Sequence, residues 1–158
     1  MEISNYLKIK KKLPHNVKLL AVSKGFSIKE IVSLAINNKK GKKIIGSDEN
    51  TEGGIPNNPI VQTRRGMEGG ILAAKNQHQA IMSPTSHCYF DYYQASPENS
   101  PEAFSGLITL KKVYSFNPIP KELTKNESKF ILGAQGNLWT EYVQSPSRAQ
   151  YRVCLLYT

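Results

Sequence analysis

Four side chains in the second half of the sequence are of types that grip polar ring-shaped ligands: Tyr89 and Asp91 in YFD, and Trp139 and Glu141 in WTE. Sugars present one CH-rich face and a rim of hydroxyls, so an aromatic plane beside a carboxylate suits them. Taken alone, Trp139 fits a core position better. Asp48 and Glu49 form an adjacent acidic pair, the kind of group that does acid–base work. They open a stretch rich in Gly, Pro and Asn, where carboxylates accept backbone N–H groups, and that is how we read them. Lys24 follows an apolar run, and a lysine buried there would have a lowered pKa and be nucleophilic. A solvent-facing lysine is the simpler reading. Cys88 and Cys154 have neither a CxxC partner nor a histidine at zinc-ligand spacing, so they read as free thiols rather than a metal site.

The elements that must position these groups alternate. Residues 17–22 (VKLLAV), 42–46 (KKIIG), 60–63 (IVQT), 79–83 (QAIMS) and 130–133 (FILG) are short, mostly apolar runs of the kind buried in parallel sheets. Ser27 and Glu30 form a capping box, and Ile28, Ile31, Val32 and Ala35 then fall at helical spacing, predicting a helix over 28–37. A second helix is expected from 69–76, and Thr124 with Glu127 caps a short third. Residues 84–118 carry several prolines and aromatics and read as a long functional loop. The pattern is α/β with a parallel sheet of roughly five strands. In such folds ligands sit at the carboxyl ends of strands. Lys24, then Ser47, Asp48 and Glu49, then Arg64 and Arg65, then Tyr89 and Asp91, then Asn137, Trp139 and Glu141 are therefore the residues to inspect.

The net charge is +9, with lysines clustered at 8–12 and 39–43. No nucleic-acid motif accompanies the charge, so it reads as a solvated lysine-rich surface rather than a nucleic-acid site. No apolar run of about 20 residues is present to span a membrane. The basic start lacks a following apolar segment of signal-peptide type, so the sequence as given reads as cytoplasmic.

Residues 41–158 contain four motifs in a fixed order: GKKIIGSDENTEGG, VQTRRGMEGGILAAK, IMSPTSHCYFDYYQ and ILGAQGNLWTEY. They resemble the C-terminal half of the catalytic domain of glycoside hydrolase family 20, the β-N-acetylhexosaminidases. The resemblance implies part of a (β/α)8 TIM barrel, which needs about 250 residues when complete. It also implies binding of glycans ending in N-acetylglucosamine or N-acetylgalactosamine, with no cofactor. In that family the substrate's acetamide oxygen attacks the anomeric carbon, while an Asp-Glu pair orients the acetamide and protonates the leaving oxygen. By resemblance, Tyr89 and Asp91 would bond the acetamide oxygen and N–H, Trp139 would stack on the sugar, and Glu141 would accept from its outer hydroxyls. No His-x-Gly-Gly-Asp-Glu stretch exists in this sequence. No catalytic residue is therefore assigned, and a fragment inactive alone is expected. Two family tryptophans that wall the acetamide pocket are replaced by Ser47 and Arg64, and CLLYT follows RAQYR where a Pro-Arg is usual.

Residues 1–40 resemble instead the opening of the pyridoxal-phosphate homeostasis family, in which the lysine of a Val-Ser-Lys motif forms a Schiff base with the cofactor. That resemblance would make Lys24 a pyridoxal phosphate ligand and the chain two joined pieces, 1–40 and 41–158. Five strands cannot close an eight-stranded barrel, so open sheet edges and self-association are expected.

Overall fold

Short apolar runs are long enough to cross a sheet only once, and each run among the described residues forms one strand of three or four residues. The computed structural model describes residues 45–48 and 60–154, all within Lys40–Thr158, the second of the chain's two compact units. The expected strand at 17–22, the helix at 28–37, Lys24 and Glu49 lie outside the described residues. Among those described, β1 (Ile45–Ser47), β2 (Ile60–Gln62), β3 (Ala80–Met82) and β4 (Ile131–Ala134) form one parallel sheet in chain order. Ile45 lies opposite Ile60, Val61 opposite Ala80, and Ala80 opposite Ile131, with a register shift between Ala80 and Ile81.

Parallel neighbours need a crossover, and α1 (Glu68–Lys75) supplies it between β2 and β3. Glu68 in its first turn and Lys75 in its last complement the helix dipole. Asn76 ends it, its side-chain amide donating to the Leu72 carbonyl at 2.8 Å, and Gln77 follows in the left-handed region at φ 61°. The buried face of α1 is Gly70, Ala73 and Ala74. These small residues let the helix lie close over the sheet: a Cβ at Gly70 would sit 2.6 Å from the Met82 sulfur and 2.8 Å from the Thr63 methyl. Val61, Ala73 and Ala80 form the core, with Ile131 packed against them.

Residues 84–118 are better ordered than a loop reading implies. A three-residue 3₁₀ turn (Pro97–Asn99) and a short helix α2 (Leu110–Tyr114) punctuate them. Thr109 caps α2, its hydroxyl accepting the Lys112 N–H at 3.3 Å. Aromatic rings replace regular hydrogen bonding as the glue: Tyr92 packs against both Tyr89 and Phe104, and Phe104 against Tyr142. Gly106 is required there, because its φ is +63° and a Cβ would meet the Tyr92 ring at 2.7 Å.

The Thr124–Glu127 capping box forms as expected. The Thr124 N–H donates to Glu127 Oε2 at 2.7 Å and the Glu127 N–H to Thr124 Oγ1 at 3.3 Å. It opens a 3₁₀ turn (Glu127–Phe130) rather than an α-helix, so Phe130 belongs to the turn and β4 begins at Ile131. A further helix, α3 (Pro146–Cys154), was not expected. Its signal is the Ser145–Pro146 pair: the Ser145 hydroxyl accepts the Arg148 N–H at 3.3 Å, and proline starts the first turn. No helix among the described residues is long and apolar enough to cross a membrane.

Candidate functional site

The carboxyl ends of β2, β3 and β4 are joined by polar side chains rather than by further sheet. Thr63 Oγ1 accepts the Ser83 N–H at 2.8 Å. The Ser83 hydroxyl donates to the Gln135 carbonyl at 2.8 Å and accepts from the Asn137 side-chain amide. Gln135 in turn donates to Asn137 Oδ1 at 3.0 Å. Thr63 and Ser83 are fully buried, and the Thr63–Ser83, Ser83–Gln135 and Ser83–Asn137 bonds each join neighbouring strand ends. Of this network only Asn137 was marked by its place after a strand. Thr63 and Ser83 are small polar residues closing apolar runs and Gln135 directly follows β4, and the signal for them is polarity at a strand end.

Asn137 carries the network to Tyr89. The two residues form an isolated parallel bridge, in which the Phe90 N–H donates to the Asn137 carbonyl at 2.8 Å and the Asn137 N–H to the Cys88 carbonyl at 2.7 Å. Tyr89 is thus fixed two residues from Asp91, and Trp139 is fixed two residues beyond Asn137. Trp139 stands beside the other two: against the upward push of burial, its side chain pulls the Tyr89 phenol down, and its backbone N–H pulls the Asp91 carboxyl down. Trp139 is 39% exposed, which excludes the core role that composition alone favours. It stands beside a phenol and a carboxylate.

Asp91 is buried, and its Oδ1 has no hydrogen-bond partner among the described residues. Burial pushes its carboxyl above the ordinary range. The N–H groups of Asp91 and Trp139 and the charge of Arg152 oppose that shift, and Glu141 adds to it. Glu141 is therefore within electrostatic reach of Asp91, although it is itself exposed. Burial also raises the Tyr89 phenol, so it stays a neutral hydroxyl that can donate; the nearby Arg64 pulls the other way.

Sequence reasoning missed Arg152. Its guanidinium is buried and donates through Nη1 to the Phe90 carbonyl at 2.9 Å and the Tyr92 carbonyl at 3.4 Å, one on each side of Asp91. The Phe104 N–H donates to the Asp91 carbonyl at 3.2 Å. The backbone around this carboxylate is therefore tied from two directions. The signal was present in RAQYR, a charged residue on the face of α3 that packs inward.

Asp48 behaves as a loop carboxylate. It accepts the Arg64 N–H at 3.0 Å and the Ser47 hydroxyl at 3.3 Å, linking the ends of β1 and β2. Arg64 and Arg65 follow β2 and are exposed. Cys88 is a buried free thiol, pushed up to about 12 by burial. Among the described residues no group of three or more His, Cys, Asp or Glu side chains could hold a metal.

A parallel sheet with helical crossovers, whose aromatic and carboxylate side chains gather beyond the strands' carboxyl ends, is the architecture of a (β/α)8-barrel enzyme. The family model of the glycosyl hydrolase family 20 catalytic domain matches residues 12–154, and the chain belongs to that family. It is 44% identical over 115 residues to a β-hexosaminidase of Porphyromonas gingivalis, a match covering 72% of this chain and 15% of that protein. The fold is similar to that of Streptomyces plicatus N-acetyl-β-hexosaminidase in complex with thio-NAglucal, at TM-score 0.62 and 24% identity over 75% of this chain and 25% of that one. It is also similar to a family 20 exo-β-N-acetylglucosaminidase of Vibrio harveyi in complex with N-acetylglucosamine, at TM-score 0.60 and 24% identity over 72% of this chain and 18% of that one. The four strands are thus part of a TIM barrel, and the chain spans less than a fifth of the curated relatives it matches.

The family match opens at residue 12, inside the segment that resembles the pyridoxal-phosphate family. The relatives named above lend that second resemblance no support, and Lys24, its Schiff-base lysine, lies outside the described residues.

Proposed function

We propose that residues 41–158 form the sugar-holding part of a β-N-acetylhexosaminidase barrel, binding the terminal N-acetylglucosamine or N-acetylgalactosamine of a glycan. Trp139 stacks on the CH-rich face of the sugar. The Tyr89 hydroxyl donates to the acetamide oxygen, Asp91 accepts a sugar N–H or O–H, and Glu141 accepts from the outer hydroxyls. The observation that carries this reading is the unpartnered Oδ1 of a buried Asp91 beside a half-exposed indole. A buried acceptor left unpaired costs about 1–3 kcal/mol, and a sugar donor would remove that cost.

Substrate-assisted hydrolysis asks no cofactor of the protein, because the nucleophile is the substrate's acetamide. It does ask for a general acid, worth about 10²–10⁴-fold in rate. Because the family's Asp-Glu motif is not in these 158 residues, the chain as given binds the sugar without hydrolysing it. Outermost in the described sheet, β4 exposes Leu132 at 50%. A second copy or further barrel strands would cover it.

Thermal unfolding followed by fluorescence of Trp139, the single tryptophan, tests the reading. An N-acetylglucosamine thiazoline, which mimics the cyclised acetamide intermediate, should raise the transition, by about 2.7 kcal/mol of stability at a hundred times its Kd. A transition blind to that ligand would overturn the proposal.

A further inference from the structure

A cavity of about 250 Å³ opens between the segment carrying Tyr93 and the inward face of α3. Tyr93, Gln94, Ser100, Arg148, Tyr151 and Arg152 line it, and none of the four sugar-site residues does. Its volume is about eight times the 30 Å³ share of a liquid water, room for a small polar molecule. Both charged side chains in the lining are guanidinium groups, and no carboxylate is among them.

Arg148 and Arg152 are four residues apart on one helix, a spacing that places like charges side by side and is unfavourable. Burial lowers the Arg152 guanidinium from its ordinary value and the charge of Arg148 lowers it further, while the nearby Asp91 charge offsets part of this. Two bonds to the Phe90 and Tyr92 carbonyls fix where the Arg152 fork sits. The Gln94 amide nitrogen is buried and has no partner among the described residues. An acceptor carrying negative charge would answer all of this together: it separates two like charges and gives the amide a partner. Planar guanidinium forks bind carboxylate, phosphate and sulfate oxygens in matched pairs of bonds.

We propose that this cavity is a binding site for a small oxyanion, held by Arg148 and Arg152 with Gln94 donating. The oxyanion is either the carboxylate of an acidic monosaccharide or a free inorganic ion such as sulfate. The site is separate from the sugar site, so its test stands apart from the hexosaminidase reading.

Isothermal titration of the full chain with sodium sulfate, glucuronate and glucose, at ionic strength held constant with chloride, reads the site directly. Constant ionic strength removes general screening as a cause. Saturable binding of an oxyanion and none of glucose is expected. Glucuronate binding more tightly than sulfate would mark the acidic sugar as the ligand, and equal affinities the free ion. Arg148→Gln, at a half-exposed position on α3, should weaken binding about tenfold or more, as loss of a charged hydrogen bond does. A thermal melt in chloride checks that this variant is folded. Arg152→Lys keeps the charge but loses the fork and should weaken binding as well. Non-saturable heats, equal binding of glucose, or undiminished binding by a folded Arg148→Gln chain would each overturn the proposal.

Discussion

The Trp139 backbone N–H lies beside the Asp91 carboxyl and lowers its pKa, against the raising effect of burial. The side chain of the same tryptophan lowers the Tyr89 phenol in the same way. One residue thereby lies against a phenol and a carboxylate that belong to a different loop. Platform and polar partners move as one unit, which lowers the ordering cost of binding.

Trp139→Phe separates the ring from the N–H. It leaves an aromatic face and the backbone N–H beside Asp91, and removes only the indole N–H beside Tyr89. Affinity for the thiazoline should fall by about 0.5–1.5 kcal/mol, the net worth of a neutral hydrogen bond. Trp139→Ala removes the platform too and should weaken binding further. Titration calorimetry on both variants checks the order; equal affinities for Phe and Ala would mean that the ring does not touch the sugar.

Asp91 sets stability against function. Its carboxyl is raised in the folded chain, first by burial. A raised folded value means that its contribution to stability is fully present in acid, below the ordinary carboxyl range, and is lost as pH climbs through the raised value. Asp91→Asn removes the charge at similar shape. The variant should melt higher than the natural chain near neutral pH, with the difference shrinking as pH falls below the ordinary carboxyl range. Its affinity for the thiazoline should drop, because half of the acceptor capacity is gone. Melting curves across pH together with one titration decide it; a difference in melting that does not change with pH would contradict the burial account.

The strand positions were legible because β2 and β3 are apolar runs bounded by polar turns, and Thr124 with Glu127 is a local signal read without tertiary knowledge. Tyr89, Asp91, Trp139 and Glu141 could be named because each follows a strand. What joins them could not. The Ser83–Gln135 and Ser83–Asn137 bonds link residues more than fifty positions apart, and Arg152 reaches the Phe90 carbonyl across a separation of 62. No periodicity encodes such pairings. Residues 84–118 were read as a loop because their order comes from ring packing and side-chain caps, which leave no alternation in the sequence. The α3 helix was missed because its apolar stripe is thin, and Ser145–Pro146 was the signal to weigh.

Ser83 is where the strand ends are tied together. Ser83→Ala leaves the Gln135 carbonyl and the Asn137 amide without that partner. Unpairing buried polar groups costs about 1–3 kcal/mol, and the site should loosen as well, because Asn137 bridges to Tyr89. Both stability and thiazoline affinity should fall. A double-mutant cycle with Asn137→Ala should give a combined loss smaller than the sum of the two, since both remove the same bond. Strict additivity would mean that the short contact between the two side chains carries no coupling.

Gly70 tests how closely α1 must approach the sheet. A Cβ there would lie 2.6 Å from the Met82 terminal atoms and 2.8 Å from the Thr63 methyl. Met82 is flexible and can yield, but Thr63 is β-branched, fully buried and holds the Ser83 N–H. Gly70→Ala gains helix propensity of about 1 kcal/mol and meets overpacking of about 1–3 kcal/mol. The clash should win, lowering the melting temperature by a few degrees, at roughly 2–4 °C per kcal/mol for a chain of this size. Because the displaced Thr63 carries the Ser83 bond, thiazoline affinity should fall alongside stability. A more stable Gly70→Ala chain would mean that Met82 and Thr63 repack freely, and that α1 does not help to set the site.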